Sequence, residues 1–435
     1  MTERIYGDQN FRFDTASEAV FVTQVGADGE SGASLTNPVT TGFSAAFTSP
    51  FGDLIAQPLT PLIQMDFVHG LNTQTSSTSI VTTGVADTSS GRLRLQTGTG
   101  AAGSAVFLSR RPAKYRPGQG IIWRGTTAYT TGVASSTQIH GIGNVANDAY
   151  AFGYNGTAFG ILHRNASSDT WVAQTAWNGD KCDGTDASGF TWDKTKGNVC
   201  MIKYPYLGYG NITFWVQDSA TSQFILCHTI RYTNSSASVQ LSNPNLSSYA
   251  QVINSGNTTN VTMYVGSLSV FLCGERSFIG SPKWAADNSK AAITTETCIL
   301  NIRNATTYNG VTNRSLIRLN SVSLSSTANN GIAVLRFKIG ATIGGAPSYT
   351  TINGTTADNG VTITSGNSVS SVDTAGTTVT GGTYVFAINI GSPGGVPFDL
   401  EKYNIVIAPG ETLTVSGFST ASTTIGAVVT WTEDI

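Results

Sequence analysis

A two-residue alternation of apolar and polar side chains recurs along most of this chain and restricts what it can fold into. The alternation is clear over residues 212–217, 335–339 and 384–390. Successive side chains of a β-strand point to opposite faces, so this period predicts strands that bury one face. A helical stripe of useful length does not accompany it. The pattern therefore predicts an all-β protein.

Turn signals separate the predicted strands at short intervals. Asn155-Gly156 is a tight-turn signal between two apolar runs, and Ala408-Pro-Gly-Glu411 is a turn between two alternating segments. A dipeptide such as Asn-Gly tolerates the positive backbone angles of a two-residue hairpin. Short strands at even spacing favour sandwiches of two sheets, of the jelly-roll kind.

The low charge content adds a second constraint. Charged residues make up 11% of the 435 residues, against about 25% in ordinary soluble proteins. A sparsely charged surface favours assembly over solubility. The net charge of −2 gives no indication of nucleic acid as a partner. We also expect no membrane insertion, since no run of about 18 apolar residues occurs, and no secretory signal follows Met1.

The predicted layout has three parts. Residues 1–61 form an extended N-terminal arm that docks to a neighbour, because residues 26–48 are rich in small residues and prolines interrupt the stretch that follows. Residues 62–280 form a central β-sandwich. Residues 281–290 form a linker, and residues 291–435 form a C-terminal β-sandwich.

Several segments of the chain resemble a family of β-rich structural virion proteins from tailed phages and some giant DNA viruses. The resemblance is most specific across residues 110–275 and extends to Phe51–Leu54 and Trp431–Ile435. Within residues 110–275, the segments that carry the resemblance are Lys114–Gly120, Gly141–Asn144, Phe152–Gly156 with Phe159–Ile161, Lys196–Val199, Tyr206–Gly210 and Asn254–Thr259.

The resemblance implies a particle component that is not an enzyme, assembled in the host cytoplasm. Its partners are then copies of itself, with a homotrimer favoured, and other virion proteins. The first interpretation is a tail, fibre or baseplate component that contacts a host surface glycan. The second is a capsid decoration, cement or vertex protein. The third is a glycan-cleaving tailspike, whose paired carboxylates need only spatial proximity.

One acidic loop has the chemistry of a cation site. Asn178, Asp180, Asp183 and Asp186 offer hard oxygen ligands, and glycines between them permit a sharp turn. Calcium prefers such oxygen ligands. The sequence otherwise predicts no cofactor, and calcium is the one candidate. The spacing differs from an EF-hand loop and Lys181 lies inside the cluster. A solvated turn is the competing interpretation.

Two further clusters have functional and structural interpretations. Tyr204, Tyr206 and Tyr209 lie among glycines and could stack on sugar rings or pack under a sheet edge, as could Trp171, Trp177 and Trp192. Phosphate binding is one interpretation of the main basic cluster. The favoured interpretation is a solvated or subunit-facing segment, which in the second case pairs with carboxylates of another subunit. The cluster consists of Arg110, Arg111, Lys114 and Arg116.

Residues that commonly do catalysis form no known motif in this chain. His163 and His228 lie within strand patterns and are predicted to be structural, and Asp66 and His69 have no nucleophile motif beside them. The five cysteines are widely spaced, which indicates buried thiols. A bridge between Cys182 and Cys200 is the alternative.

Overall fold

The computed structural model describes most of the chain from residue 58 onward. The backbone is described for residues 3–5, 9–14, 19–24, 58–276, 280–327, 332–352, 356–358, 361–363, 368–391 and 394–435. Side chains are described for residues 58–276, 280–327, 332–352, 368–390 and 394–435.

Residues Met1–Ile55 form a unit separate from the rest of the chain. It contains a three-stranded antiparallel sheet of β1 (Glu3–Ile5), β2 (Gln9–Asp14) and β3 (Ala19–Gln24). The structure therefore differs from the predicted extended arm at the residues of these three strands. The small-residue segment and Phe51–Leu54 lie outside the described residues.

Residues Ala56–Ile435 form the second unit, which holds two β-sandwiches. Fifteen strands build the first, central sandwich. They are β4 (Leu59–Asp66), β5 (Ser76–Val81), β6 (Val85–Ser89), β7 (Arg92–Gln96), β8 (Ser104–Ser109), β9 (Ile121–Tyr129), β10 (Ser136–Gly143), β11 (Ala149–Asn155), β12 (Ala158–Asn165), β13 (Ser168–Ala173), β14 (Asn198–Tyr204), β15 (Ile212–Gln217), β16 (Phe224–Ile230), β17 (Ser247–Asn254) and β18 (Thr262–Cys273).

The two sheets of the central sandwich are antiparallel. One has the strand order β13-β12-β11-β10-β17-β8-β5, and the other has the order β16-β15-β14-β9-β18-β7-β6, with β4 also paired to β18. The predicted hairpin at Asn155-Gly156 joins β11 to β12, and Gly156 has a φ of 62°. Pro61 lies on β4, where the pairing register with β18 shifts, because proline cannot donate to the ladder.

Large aromatic side chains fill the space between these sheets. Trp123, Phe107, Tyr150, Phe152 and Phe214 are all fully buried. Each such side chain stabilises the folded state by about 2–3 kcal/mol relative to an exposed one. The alternation seen in the sequence thus reflects residues that face this core.

Seventeen strands build the C-terminal sandwich and its short hairpins. They are β19 (Lys283–Ile293), β20 (Thr297–Asn304), β21 (Thr307–Tyr308), β22 (Val311–Thr312), β23 (Leu316–Ser326), β24 (Ile332–Ile339), β25 (Thr342–Ile343), β26 (Tyr349–Thr351), β27 (Thr356–Asp358), β28 (Val361–Ile363), β29 (Ser370–Asp373), β30 (Val379–Thr380), β31 (Thr383–Gly391), β32 (Gly394–Asp399), β33 (Val406–Ile407), β34 (Thr412–Ser419) and β35 (Thr423–Asp434).

Two antiparallel sheets again enclose an apolar core. The first has the order β19-β35-β23-β32, with β33 beside β23, and the second has the order β26-β29-β20-β34-β24-β31. Trp431 of β35 and Phe337 of β24 are fully buried in this core. The predicted turn at Ala408–Glu411 closes with a hydrogen bond from Glu411 N to Ala408 O of 3.0 Å.

The all-β class and the β-sandwich architecture are confirmed. The described residues contain two single-turn 3₁₀ helices, Gln174–Ala176 and Glu401–Tyr403, and no α-helix. No helix in this described part is long and apolar enough to cross a membrane. The structure differs at the predicted linker, since Lys283–Ile293 is an edge strand paired with β35.

Candidate functional site

The basic segment that follows β8 lies where the two sandwiches meet. Arg116 Nη2 donates to Asp434 Oδ1 at 2.6 Å, and Arg276 Nη2 donates to Asp434 Oδ2 at 2.5 Å. The Asp434 side chain is only 2% exposed. Arg110 Nη1 lies 3.4 Å from Glu411 Oε1. Side chains of the central sandwich therefore bind carboxylates of β35 and of the turn before β34.

These contacts correct the predicted role of the basic cluster. Arg110 and Arg116 were expected to pair with carboxylates of another subunit, but their partners belong to the same chain. Burial lowers the pKa of Arg111 and of Lys114, although Glu411 and Asp434 oppose that shift. The cluster therefore acts first as an internal contact between sandwiches.

A fourth ion pair crosses the junction, with its cation on the C-terminal sandwich and its carboxylate on the central sandwich. Arg314, which precedes β23, donates through Nη2 to Asp148 Oδ2 at 3.2 Å. Asp148 also accepts from Ser242 N at 2.8 Å. The second guanidinium nitrogen of Arg314 donates to the carbonyl oxygens of Asn243 and Asn245. Both charged side chains are buried, and their remaining hydrogen-bonding groups are satisfied locally, which such a pair requires.

The acidic loop uses its carboxylates to cap its own backbone. Asp180 accepts hydrogen bonds from Cys182 N at 2.8 Å and from Ser188 N at 3.0 Å. Asp186 accepts from Lys181 N at 2.7 Å and pairs with Lys181 Nζ at 3.2 Å. These contacts are those of a tight, self-capped turn.

The remaining two predicted ligands also have partners within the chain. Asp183 Oδ1 accepts from Thr185 N and Oγ1, and the Asn178 amide exchanges hydrogen bonds with the backbone of Thr229. Over the part of the chain that the structure describes, no three His, Cys, Asp or Glu residues are grouped as metal ligands. The four predicted calcium ligands therefore do not form one coordination sphere, and calcium stays a prediction.

The three clustered tyrosines do not present one exposed surface. Tyr204 is fully buried, and Tyr206 is half-buried with its ring edge-on to Tyr115 at 5.1 Å. Tyr209 is exposed and lies 6.5 Å from the ring of Tyr232. The predicted sugar-stacking role is therefore wrong for Tyr204, because both faces of its ring are covered. Tyr209 keeps an accessible ring.

Two of the three tryptophans belong to an aromatic cluster inside the central sandwich. The ring of Trp192 lies 5.0 Å from that of Phe159 and 5.5 Å from that of Phe152. Trp177 is 6.2 Å from Trp192. Trp171 is half-buried against a smaller apolar cluster. Core packing is thus the role of Trp177 and Trp192.

The two histidines within the predicted strands contact backbone groups of the same chain, which is consistent with the predicted structural role. His163 Nε2 lies 2.8 Å from Gln240 O, and His228 Nδ1 accepts from Asn178 N at 3.2 Å. Burial lowers the pKa of both. Asp66 Oδ1 accepts from Val68 N at 3.1 Å.

The alternative of a disulfide between Cys182 and Cys200 is wrong. All five cysteines are free and buried. The Cys182 sulfur lies 3.7 Å from the sulfur of Cys227, not paired with Cys200. Burial raises the pKa of Cys227 and of Cys200, so these thiols stay protonated and behave as small apolar residues.

One surface feature had no counterpart in the sequence predictions. Strand β31 lies at the open edge of its sheet and pairs with β24 alone among the described strands. Its residues contain no charged side chain. Half-buried and exposed apolar side chains on β31 and next to it are here called the edge patch. The edge patch consists of Val385, Phe386, Ile388, Phe398 and Tyr403.

Aromatic contacts join the members of the edge patch. The Phe386 ring lies 5.2 Å from that of Tyr403 and 6.0 Å from that of Phe398. Tyr403 is 58% exposed. Such a grouping depends on which strands lie at sheet edges, and the alternation over residues 384–390 alone does not give that information.

Comparisons with known proteins give a general likeness of fold. No protein-family model and no curated protein matches the chain. Among solved structures, lectin UEA-II complexed with galactose is 12% identical, covers 49% of this chain and 99% of its own, and has a TM-score of 0.32. A β-1,3-glucanase from Mycobacterium marinum is 10% identical, with coverages of 49% and 99% and a TM-score of 0.33.

A third structure gives the same result. A glycosyl hydrolase family protein from Mycobacterium fortuitum is 10% identical, covers 48% of this chain and 99% of its own, and has a TM-score of 0.33. At these values the similarity carries no argument about activity or ligand.

Proposed function

We propose that this chain is a structural component of a virus particle that works by assembling with copies of itself and with other virion proteins. The resemblance across residues 110–275 supplies the viral context. The basic cluster, the acidic loop and two of the tyrosines have structural partners within the chain. These partners favour a non-enzymatic protein over a glycan-cleaving tailspike.

The observation that carries the proposal is the uncharged edge strand β31 with its edge patch. Monomeric proteins protect open edge strands with charged residues or proline. The other sheet of this sandwich follows that rule, since its edge strand β19 carries Lys283, Asp287 and Lys290. An edge strand without such protection, next to apolar side chains, is typical of an interface.

The proposed occupant of this edge is a second copy of the chain. Strand β31 of one copy can pack against a neighbouring copy without adding like-charge repulsion, because it carries no charge. A homotrimer remains the favoured assembly, in a tail, fibre or baseplate with a contact to a host surface glycan. Capsid decoration is the alternative, and Tyr209 is the member of the predicted sugar-binding set that could reach a glycan.

A charge introduced into β31 tests the assembly. Ala387→Lys places an ammonium group on an exposed position of this strand, so we expect the oligomer to dissociate to monomers. The molar mass measured by light scattering after gel filtration reports the result. Ala285→Lys is the matched control, because Ala285 is exposed on the already charged edge strand β19. A wild-type protein that is monomeric, or a mass unchanged by Ala387→Lys, would contradict the proposed interface.

Location in the particle is tested separately. A reconstruction of the intact particle, with the chain identified by its two sandwiches, should place it either at the tail or over the capsid lattice. Absence of the chain from purified particles would overturn the virion proposal. Release of reducing sugar from host polysaccharide would instead favour the tailspike interpretation.

A further inference from the structure

We propose that Cys182 and Cys227 form a disulfide modification site, which closes into a bridge when the protein reacts with a low-molecular-weight disulfide. Both side chains are fully buried in the central sandwich. Their sulfur atoms lie 3.7 Å apart. A disulfide bond is about 2.0 Å long, so closure requires the two sulfurs to approach by less than about 2 Å. The bridge would tie the acidic loop to strand β16 across 45 positions of sequence.

A β-bulge places Cys227 at the edge of its sheet with its side chain turned inward. Phe214 and Trp215 are adjacent on β15, but their partners on β16 are two positions apart. Cys227 lies between those partners and has no residue opposite it. Cys227 and His228 are consecutive buried residues, which breaks the alternation of this strand. Bulges re-aim side chains in this way, and β16 is the edge strand that lies next to the acidic loop.

The backbone of the acidic loop holds Cys182 against this edge. Gly179 N donates to Cys227 O at 3.0 Å, and Asp180 N donates to Leu226 O at 2.9 Å. Cys182 has a φ of 52°, a left-handed conformation that is uncommon for residues other than glycine. Such a conformation persists only where the surrounding structure fixes it. The fold therefore determines the position of both sulfurs.

Access distinguishes this pair from the third thiol of the central sandwich. Residues 183–185, which directly follow Cys182, are exposed. A local opening of the loop therefore exposes the Cys182 sulfur without disturbing the sheets. Cys200 is also buried, but it lies on β14, which has β9 and β15 on its two sides. Its exposure requires the separation of paired strands, so we expect Cys182 to react first.

The reaction is a thiol–disulfide exchange in two steps. The Cys182 thiol loses its proton, and the thiolate attacks one sulfur of the small disulfide and releases the other half as a thiolate. The Cys227 thiol then loses its proton and attacks the Cys182 sulfur, which releases the second half. Each released thiolate takes up one proton. The two protein thiols are oxidised by two electrons, and the small disulfide is reduced to two thiols.

Incubation of the reduced, purified protein with oxidised glutathione tests the site. The free thiols counted after denaturation should fall from five to three. Peptide mass mapping should then find Cys182 joined to Cys227. The melting temperature should rise by about 5 °C or more, because the bridge restricts the unfolded chain. The test needs only the folded chain, so its result is independent of the proposed assembly.

Two variants provide the controls. Cys200→Ala removes a buried thiol of the same sandwich and leaves the pair intact, so oxidation should form the same bridge. In Cys227→Ala oxidation should leave the melting temperature unchanged. Each variant is compared with its own reduced form, so destabilisation by the substitution itself does not affect the result. Five free thiols in the oxidised wild type, or a bridge that maps to Cys182 and Cys200, would overturn the proposal.

Discussion

At the scale of single residues, His140 shows that tertiary packing can bury a polar side chain completely. His140 of β10 is 1% exposed, and its ring lies edge-on to that of Trp123 at 4.8 Å. Neither ring nitrogen has a hydrogen-bond partner within the described structure. Burial lowers the His140 pKa to about 3, so the imidazole is neutral in the folded protein.

This buried imidazole should make the protein acid-sensitive. The unfolded chain takes up a proton near pH 6.5 and the folded chain near pH 3, so stability falls as the pH decreases between these values. Between pH 7 and pH 5 we expect His140 to contribute a loss of about 2 kcal/mol. Urea unfolding of the wild type and of His140→Gln at both pH values measures it. Parallel pH profiles would show that His140 does not titrate this way.

At the scale of elements, we expect the stability of the acidic loop to depend on its carboxylates rather than on a bound metal ion. Asp180→Ala removes the acceptors for Cys182 N and Ser188 N, so the free energy of unfolding should fall by about 1–3 kcal/mol. Asp183→Ala is the control, because that carboxylate caps an exposed turn at Thr185. We expect EDTA to leave the melting temperature unchanged. A decrease on chelation would instead support the calcium prediction.

Several strands could be predicted from the sequence, and the misses have physical reasons. Strands such as β15 bury one face completely, so their apolar alternation is strong. Strand β19 is a sheet edge with half-buried Trp284 and Ala286, so its alternation is weak and its sequence resembles a linker. The ion pair between Arg116 and Asp434 joins residues 318 positions apart, and local patterns carry no information about such a contact.

At the scale of the whole molecule, Asp434 links the two sandwiches through two guanidinium groups. Asp434→Asn would leave Arg116 and Arg276 without their shared counter-ion. We expect a loss of about 3 kcal/mol, as for other buried pairs that lose one partner. Asp87→Asn is the control, since its pair with Arg94 is partly exposed and should contribute less than about 1 kcal/mol. Equal losses in the two variants, measured by urea unfolding, would show that the junction pair contributes no more than a surface pair.

The pairing of β4 with β18 also determines when the central sandwich can finish folding. Thr60 Oγ1 donates to Gly274 O across 214 positions of sequence. Strand β18 pairs with β9 along one edge and with β7 and β4 along the other. Contacts of such long range form slowly. At about 5–20 residues per second, a ribosome takes roughly 15 to 55 s to reach this point. Until then β4 lacks its partner strand, so the central sandwich cannot close before β18 has been made.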